Sequence, residues 1–313
     1  MPTRAKKTRR ERRTAPGWSG VRSFSCADDG RIVAGENGGY RVVCWEASGS
    51  IGWQVELAAQ PQTQRYMHHV CVRVHGASVV VAATSTDTFR VLDLATGAEL
   101  ARHPAPSDVR NMAFTLDGRH LVVRASTETH VFDSTSFAHI ALIDAYANAS
   151  VLALSPDGRW AAVCSGNLHI IDLKDLVCAR SFKLDESPWA LSFDAASEAL
   201  LVCRNTIRVH AARDFALLKE IGTKRNPITT AVAPSPDGRH IATINDRGTA
   251  TLYAAGTFEI EDELKGHDPS VPDTASRHIS EIAFTRAGDL VVSAPPKKEL
   301  PGITIHHLVY SAT

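Results

Sequence analysis

Apolar and polar positions along the chain repeat one short pattern, which consists of an apolar run, a Ser or Thr, an Asp-Gly pair and a second apolar run. Seven copies follow one another, three of them intact (113–123, 152–163 and 233–243), two weaker (23–34 and 282–292) and two without the Asp-Gly (70–82 and 190–202). Glycine accepts the positive φ that tight hairpin turns require. Each copy therefore predicts two antiparallel strands joined by a short turn.

The spacing of the copies predicts how these hairpins are assembled. The turn glycines recur about every 40 residues, with one double interval across the copy at 190–202, and they are Gly30, Gly76, Gly118, Gly158, Gly238 and Gly288. A period of about 40 residues is that of a four-stranded propeller blade. The unit around residue 158 predicts strands at 151–154, 160–164, 168–172 and 176–182. We therefore predict an all-β chain that forms a seven-bladed β-propeller of four-stranded antiparallel blades.

The seventh unit is one strand short. It supplies strands at 281–285, 290–294 and 303–308, after which only 309–313 remain. A missing strand would leave an unpaired edge and an open ring. Residues 10–15 or 18–20 are free to pair there, so we expect an N-terminal strand to close the ring. The predicted organisation is a basic, largely disordered tail at 1–13, whose end is available to blade seven, and a propeller at 14–313.

The ends of the third strands carry a family resemblance. Proteins of the WD-repeat family have Trp-Asp at this position, and here the Trp occurs once, at Trp45, while the Asp occurs at Asp93, Asp133 and Asp172. The Gly-His that precedes the inner strand in that family occurs once, at 266–267. The chain thus resembles a degenerate, bacterial-type WD-repeat protein over nearly its whole length after the tail. The resemblance implies a propeller closed by a strand from the N-terminus.

Charge is unevenly distributed along the chain, although the formal net charge is zero. Residues 1–13 carry seven Lys or Arg and one Glu, a net +6, so the rest of the chain carries −6. Three interpretations of the basic tail stay open: a solvated arm, a weak electrostatic contact to nucleic acid, or a contact to an acidic protein surface.

Targeting signals and cysteines bear on location. No apolar run is long enough to span a bilayer, and the basic N-terminus is not followed by the apolar core of a signal peptide. The six cysteines lie singly, mostly in apolar runs, without the paired spacing of a zinc site. We expect reduced cysteines and a cytoplasmic protein that makes no membrane contact.

Loop lengths distinguish the two faces of the predicted disc. The front face carries the loops from the second strand to the third and from the fourth strand to the next blade, and the back face carries the Asp-Gly turns. Three long loops, at 58–69, 266–277 and 294–302, fall on the front face. Long loops in a compact domain are more often functional than accidental. The residues expected to bind a partner there are Arg65, Tyr66, Met67, His68, Trp189, His267, Asp268, Arg277, Lys297 and Lys298.

Trp189 allows two interpretations. It follows Pro188 at the start of the fifth inner strand, near the front face. An aromatic side chain there either fills the gap between blades, which is the commoner case, or serves as a binding anchor.

The inner strands offer few groups for catalysis. Arg73, Asn111 and Glu281 are their notable polar residues, and a hard cation needs more oxygen ligands than these provide. Lone polar groups of this kind are more often hydrated structural residues. Neither a G-x-S-x-G elbow nor a Gly-rich phosphate loop is present. We therefore expect no enzymatic activity and no cofactor.

The histidines offer no stronger case for a metal. The adjacent pairs 68–69 and 306–307 are the obvious candidates. Neighbouring strand residues point to opposite faces, so such a pair does not readily chelate one ion. We expect no metal site.

The predicted function is a non-catalytic scaffold that binds a protein or peptide through the front face. A rigid ring orders its loops before binding and so lowers the entropic cost of association. Two alternatives stay open: a propeller enzyme that acts on a small molecule at the channel mouth, and a nucleic-acid-associated adaptor that uses the basic tail.

Overall fold

The computed structural model describes most of the chain. The described residues are 5–16, 18, 20–36, 39–57, 70–83, 86–125, 128–143, 151–164, 167–223, 225–264, 281–293 and 302–310. They form strands, turns and bends, and they contain no helix that could cross a membrane.

Twenty-eight strands form seven sheets of four antiparallel strands, and every sheet is a blade. In blades one to six the strands follow chain order from the innermost to the outermost. Blade one contains β2 Val21–Cys26, β3 Ile32–Glu36, β4 Arg41–Trp45 and β5 Ile51–Glu56, and blade two contains β6 Val70–His75, β7 Ser78–Ala83, β8 Thr88–Asp93 and β9 Glu99–Pro104. Blade three contains β10 Val109–Phe114, β11 His120–Ala125, β12 Glu128–Asp133 and β13 His139–Ile143, and blade four contains β14 Val151–Leu154, β15 Trp160–Cys164, β16 Asn167–Asp172 and β17 Val177–Lys183.

Blade five contains β18 Ala190–Phe193, β19 Ala199–Cys203, β20 Thr206–Ala211 and β21 Leu217–Gly222, and blade six contains β22 Thr229–Pro234, β23 His240–Asn245, β24 Ala250–Ala254 and β25 Ile260–Leu264. Blade seven consists of β26 Ile282–Phe284, β27 Leu290–Ser293, β28 Gly302–Tyr310 and, outermost, the N-terminal strand β1 Ala5–Thr14. The prediction of seven four-stranded blades closed by an N-terminal strand is confirmed.

The repeated hairpin is held by its own side chains. In blade four the Ser155 hydroxyl donates to the Asp157 carboxylate at 2.5 Å and accepts the Trp160 N–H at 2.8 Å. Blades three and six repeat these contacts. All six turn glycines have positive φ, and in blade five Ser197 takes that conformation at φ +61°. The side chains of the repeated pattern therefore fix this turn. Blade five keeps the positive φ although a serine stands in place of the glycine.

Apolar side chains pack between neighbouring blades as well as within them. One buried cluster joins the middle strands of blades one and two, and another joins blades four and five. At the inner edge of the first of these junctions, Ser23 and Ser25 accept the Val72 and Val74 N–H groups at 2.8 and 3.0 Å. The inner strands are thus held side by side around the channel.

The closing strand is longer than the sequence pattern indicated. We expected it at 10–15 or 18–20, after a tail that is largely disordered, but β1 pairs with β28 from Ala5↔Tyr310 to Thr14↔Gly302. Most of the basic segment is therefore part of blade seven. Its charged sequence lacks the apolar alternation that marks a strand, and Lys or Arg on an edge strand is a common protection against edge-to-edge association.

Candidate functional site

A cavity of about 770 Å³ occupies the central channel and is lined by residues from all seven blades. Most of the lining comes from the inner strands and the residues just before them, and includes Arg22, Arg73, Arg110, Trp189 and Glu281. Each inner strand begins at the front face, so the lining residues at the starts of these strands lie toward that face. Pockets of about 300–1,000 Å³ are the usual size for small-molecule sites.

Three polar residues singled out from the sequence form one network in this cavity. The Arg73 guanidinium donates from Nη2 to Asn111 Oδ1 at 3.1 Å and from Nη1 to the Val72 carbonyl at 2.8 Å. Its Nη2 lies 4.0 Å from Glu281 Oε1, while Glu281 Oε2 accepts the Phe24 N–H at 2.7 Å. The network therefore connects blades seven, one, two and three and fixes the orientation of Arg73.

Glu281 is half-buried in the wall of the cavity. Burial raises the pKa of its carboxyl group above the ordinary glutamate value, while the positive charges of Arg73 and Arg22 and the Phe24 N–H oppose that rise. A carboxyl group of shifted pKa inside a cavity is a recognised mark of a functional site.

Arg22 is the most enclosed of the channel arginines. Only 9% of its surface is exposed, and it lines the cavity close enough to Glu281 to lower the pKa of that carboxyl. Among the residues that the structure describes, its guanidinium has no hydrogen-bond acceptor or ion-pair partner within bonding distance. Up to five N–H donors therefore stay available at the cavity wall.

Two of the channel arginines occupy β-bulges. The register of β2 against β3 skips Arg22, between Val21↔Glu36 and Ser23↔Gly35. The register of β10 against β11 skips Arg110 in the same way, and that of β22 against β23 skips Thr230. All three skipped residues line the cavity. Bulges redirect side chains and are frequent beside functional sites. In these three inner strands, a bulge at the second residue exposes that residue to the channel.

Paired arginines and a tryptophan stand at the rim. Arg110 pairs with Asp108 at 2.7 Å, and Arg204 pairs with Glu186 at 2.9 Å while donating to the Ser187 carbonyl at 2.6 Å. The Arg204 contacts fix the segment that precedes Trp189, whose own N–H donates to the Cys203 carbonyl at 2.9 Å.

Trp189 is half-buried and lines the cavity. Within the described part of the chain, it is not a member of the apolar clusters that join the blades. The residue therefore contributes to the cavity wall at the channel mouth.

The cavity also contains two thiols. Burial raises the pKa of Cys26 to about 12 and raises that of Cys71 as well. Both are therefore protonated near neutral pH and are poor nucleophiles in this state. All six cysteines of the chain are free thiols.

Of the ten predicted partner-binding positions, Trp189 alone lies within the described ranges. The other nine lie outside them and are Arg65, Tyr66, Met67, His68, His267, Asp268, Arg277, Lys297 and Lys298. Within those ranges, no group of three or more His, Cys, Asp or Glu side chains is arranged to hold a metal ion.

No protein-family model matches this chain, and no curated protein matches it either. The seven-bladed propeller therefore rests on the strands and their pairing, and the relation to WD-repeat proteins stays a resemblance of repeat pattern and architecture.

Arg22, Arg110 and Arg204 were missed by the sequence analysis. The first two each follow a valine at the start of an inner strand, at equivalent positions in blades one and three. That equivalence is visible once the repeats are aligned. Their presentation to the channel depends on bulges, which only the pairing of the strands defines.

Proposed function

We propose that this chain is a non-catalytic, WD-repeat-type propeller that holds a protein or peptide partner on its front face, around the channel mouth. The observation that carries the proposal is the placement of Trp189 next to Arg204 at the channel mouth, in a cavity that Arg110 also lines. Trp and Arg are the residue types most enriched among binding hot spots. We expect the three long loops predicted for the same face, which lie almost entirely outside the described residues, to extend this surface.

The rim is ordered before any partner arrives. Arg204 connects the loop between β19 and β20 to the segment before Trp189 through Ser187 and Glu186. Contacts that fix a binding surface in advance lower the entropic cost of association. Six free thiols support a reducing compartment, so we propose that the protein acts in the cytoplasm.

The basic N-terminal segment gives less support to a nucleic-acid adaptor. Arg13 is buried and donates to the Glu46 and Ala47 carbonyls at 2.8 and 2.9 Å, so its charge serves the junction of blades seven and one. We therefore favour a polypeptide partner.

The test is affinity purification of the tagged chain from its native host, followed by quantitative mass spectrometry. The double variant Trp189→Ala/Arg204→Ala is compared with wild type and with a back-face control, Leu116→Ala/Arg119→Ala. Leu116 and Arg119 are strongly exposed in an Asp-Gly turn, so the control removes the same kinds of side chain from the opposite face.

We expect specific partners to fall by about tenfold or more in the front-face variant, since removing a hot-spot residue costs about 2 kcal/mol. The back-face control should retain them. Equal recovery by both variants, with unchanged circular dichroism spectra, contradicts the proposal.

A further inference from the structure

We propose that the central cavity is a binding site for a small organic anion, whose carboxylate or phosphate group binds Arg22 and Arg73 and whose apolar part lies across the channel. This site does not depend on the proposed protein partner. It is a second function of the same ring.

The first argument is the enclosure of Arg22. Arg22 is 9% exposed and lines the cavity, and no described residue offers its guanidinium a hydrogen-bond acceptor. Buried charges in proteins are normally paired. An oxyanion in the cavity would provide the acceptor, because the planar guanidinium matches carboxylate and phosphate in a bidentate geometry.

The second argument is the orientation of Arg73. Two of its five N–H donors are used by Val72 and Asn111, and these bonds hold the guanidinium in place. The remaining donors have no acceptor among the described residues at hydrogen-bond distance, since Glu281 Oε1 lies 4.0 Å away. Arg73 is therefore fixed in advance with donors still available.

The third argument is the clustering of arginines along one arc of the cavity wall. Arg22, Arg73 and Arg110 come from the consecutive blades one, two and three, and Arg204 of blade five lies at the rim. Half-buried apolar residues of blades four, six and seven also line the cavity, and they are Leu152, Val232 and Phe284. A lining that combines several arginines with apolar side chains favours an anion with an apolar body, such as an aryl or alkyl carboxylate or phosphate.

Glu281 sets the charge balance of the site. Its carboxylate would repel an incoming anion, and it is anchored by the Phe24 N–H. Glutamine at this position keeps an oxygen for that N–H and removes the negative charge. The variant Glu281→Gln should therefore bind anions several-fold more tightly than wild type.

The experiment measures thermal unfolding of the full chain at constant ionic strength with four probes: benzoate, phenyl phosphate, their neutral analogue benzamide, and inorganic phosphate. A ligand at about ten times its Kd should raise the unfolding temperature of a chain of this size by about 2 °C. We expect such a rise with benzoate or phenyl phosphate, a smaller one with inorganic phosphate and none with benzamide. The aryl anion that gives the larger rise in unfolding temperature identifies the natural head group as carboxylate or phosphate.

Two variants and a control complete the design. Arg22→Gln should abolish the rise, Glu281→Gln should enlarge it, and Arg286→Gln should leave it unchanged, because Arg286 is an exposed residue of a back-face turn. The absence of any rise with both aryl anions overturns the proposal, as does an equal rise with benzamide or in Arg22→Gln. If Arg22→Gln does not fold, the comparison of anions with benzamide and the response of Glu281→Gln decide the question.

Discussion

One position in the turn before each outer strand shows how backbone strain and burial are balanced at single residues. Four residues after the end of the third strand, φ is positive in blades one to six. Blades one and two have glycine there, and the other four have Phe137, Leu176, Phe215 and Phe258 at φ of 56–59°. A left-handed conformation costs an L-residue about 1–2 kcal/mol. Phe137 and Phe215 are buried, while Leu176 and Phe258 are half-buried. Burying a large apolar side chain stabilises by about 1.5–3 kcal/mol, so burial outweighs the strain at the two buried positions.

Blade two shows why glycine is kept at one of these positions. A Cβ atom on Gly97 would come within 2.7 Å of the Trp53 ring, and the Trp53 indole N–H donates to the Leu94 carbonyl at 2.9 Å. Trp53 from blade one thus fills the space that a phenylalanine fills in other blades.

This balance predicts that Phe215→Gly is more stable than Phe215→Ala, which is the reverse of the order expected in a regular strand. Phe215→Ala should cost about 3–5 kcal/mol of unfolding free energy through lost packing, and it retains the strain. Phe215→Gly should cost about 1 kcal/mol less, because glycine adopts positive φ freely. Chemical denaturation measures both values.

Phe193 is the control for this prediction, since it is buried in the same cluster but lies in the regular strand β18. There the glycine variant should be the less stable one, by about 0.5–1 kcal/mol, because glycine is entropically unfavourable in a strand. A glycine variant at 215 that is less stable than the alanine variant contradicts the argument.

At the scale of elements, β1 depends on tertiary contacts because its sequence has no apolar face. Arg13 is buried, donates to Glu11 at 2.7 Å and reaches two carbonyls of blade one. His307 on β28 lies between Glu11 Oε2 at 3.5 Å and Asp289 Oδ2 at 3.1 Å. The Trp45 indole donates to the Thr14 carbonyl at 3.3 Å. Polar contacts therefore attach the closing strand to both of its neighbours.

Glu11 makes this attachment dependent on pH. Burial acts to raise the pKa of Glu11, but the hydrogen bond and charge of Arg13, with those of His307, outweigh it and lower the pKa below its ordinary value of 4.5. A carboxyl whose pKa is lowered by folding stabilises the fold above its unfolded-state pKa, and this contribution is lost as the pH falls through the folded-state pKa.

We therefore expect Glu11→Gln to lower the unfolding free energy by about 1–2 kcal/mol at pH 7, the value of a charge-assisted hydrogen bond. The difference from wild type should shrink as the pH falls below 4.5. Urea denaturation across this pH range tests the prediction. Glu259→Gln, at an exposed residue directly before β25, is the control and should show no such trend. A difference that is constant with pH would assign the effect to packing alone.

At the scale of the whole molecule, the closed ring is the condition for the channel site. The inner strands of blades one and seven meet through the Phe24–Glu281 hydrogen bond, and the outer strands of blade seven are completed by β1. The strand β1 covers the edge that β28 would otherwise expose for pairing with other chains. The same closure brings Glu281, far along the chain, next to Arg22 and Arg73.

Removal of residues 1–14 should therefore destabilise the entire ring. We expect the unfolding temperature to fall by about 10 °C or more, corresponding to several kcal/mol from the uncovered edge of β28 and its buried Ile303 and Ile305. The exposed edge should also promote self-association. Differential scanning calorimetry and light scattering measure the two effects, with a chain that lacks residues 1–4 as control. Equal stability of the two truncated chains would show that β1 does not hold the ring.

The amino-acid sequence by itself determined the blades. The turn around Asp157 is made by a serine hydroxyl, a carboxylate and a glycine within a few residues, and such local chemistry repeats wherever the pattern does. The strands of blade four accordingly agree with the prediction to within one residue at each end. The number of blades and the need for an additional strand follow from counting these turns.

Tertiary structure alone decided where the charged residues act. The strand β1 forms because β28 offers it an edge, and Arg22 reaches the channel because a bulge in one pair of strands shifts its register. Positive φ at Phe215 is tolerated because a neighbouring cluster buries its ring. Each of these features depends on a partner that is distant in the sequence. The residues next to it in the sequence do not indicate which partner that is.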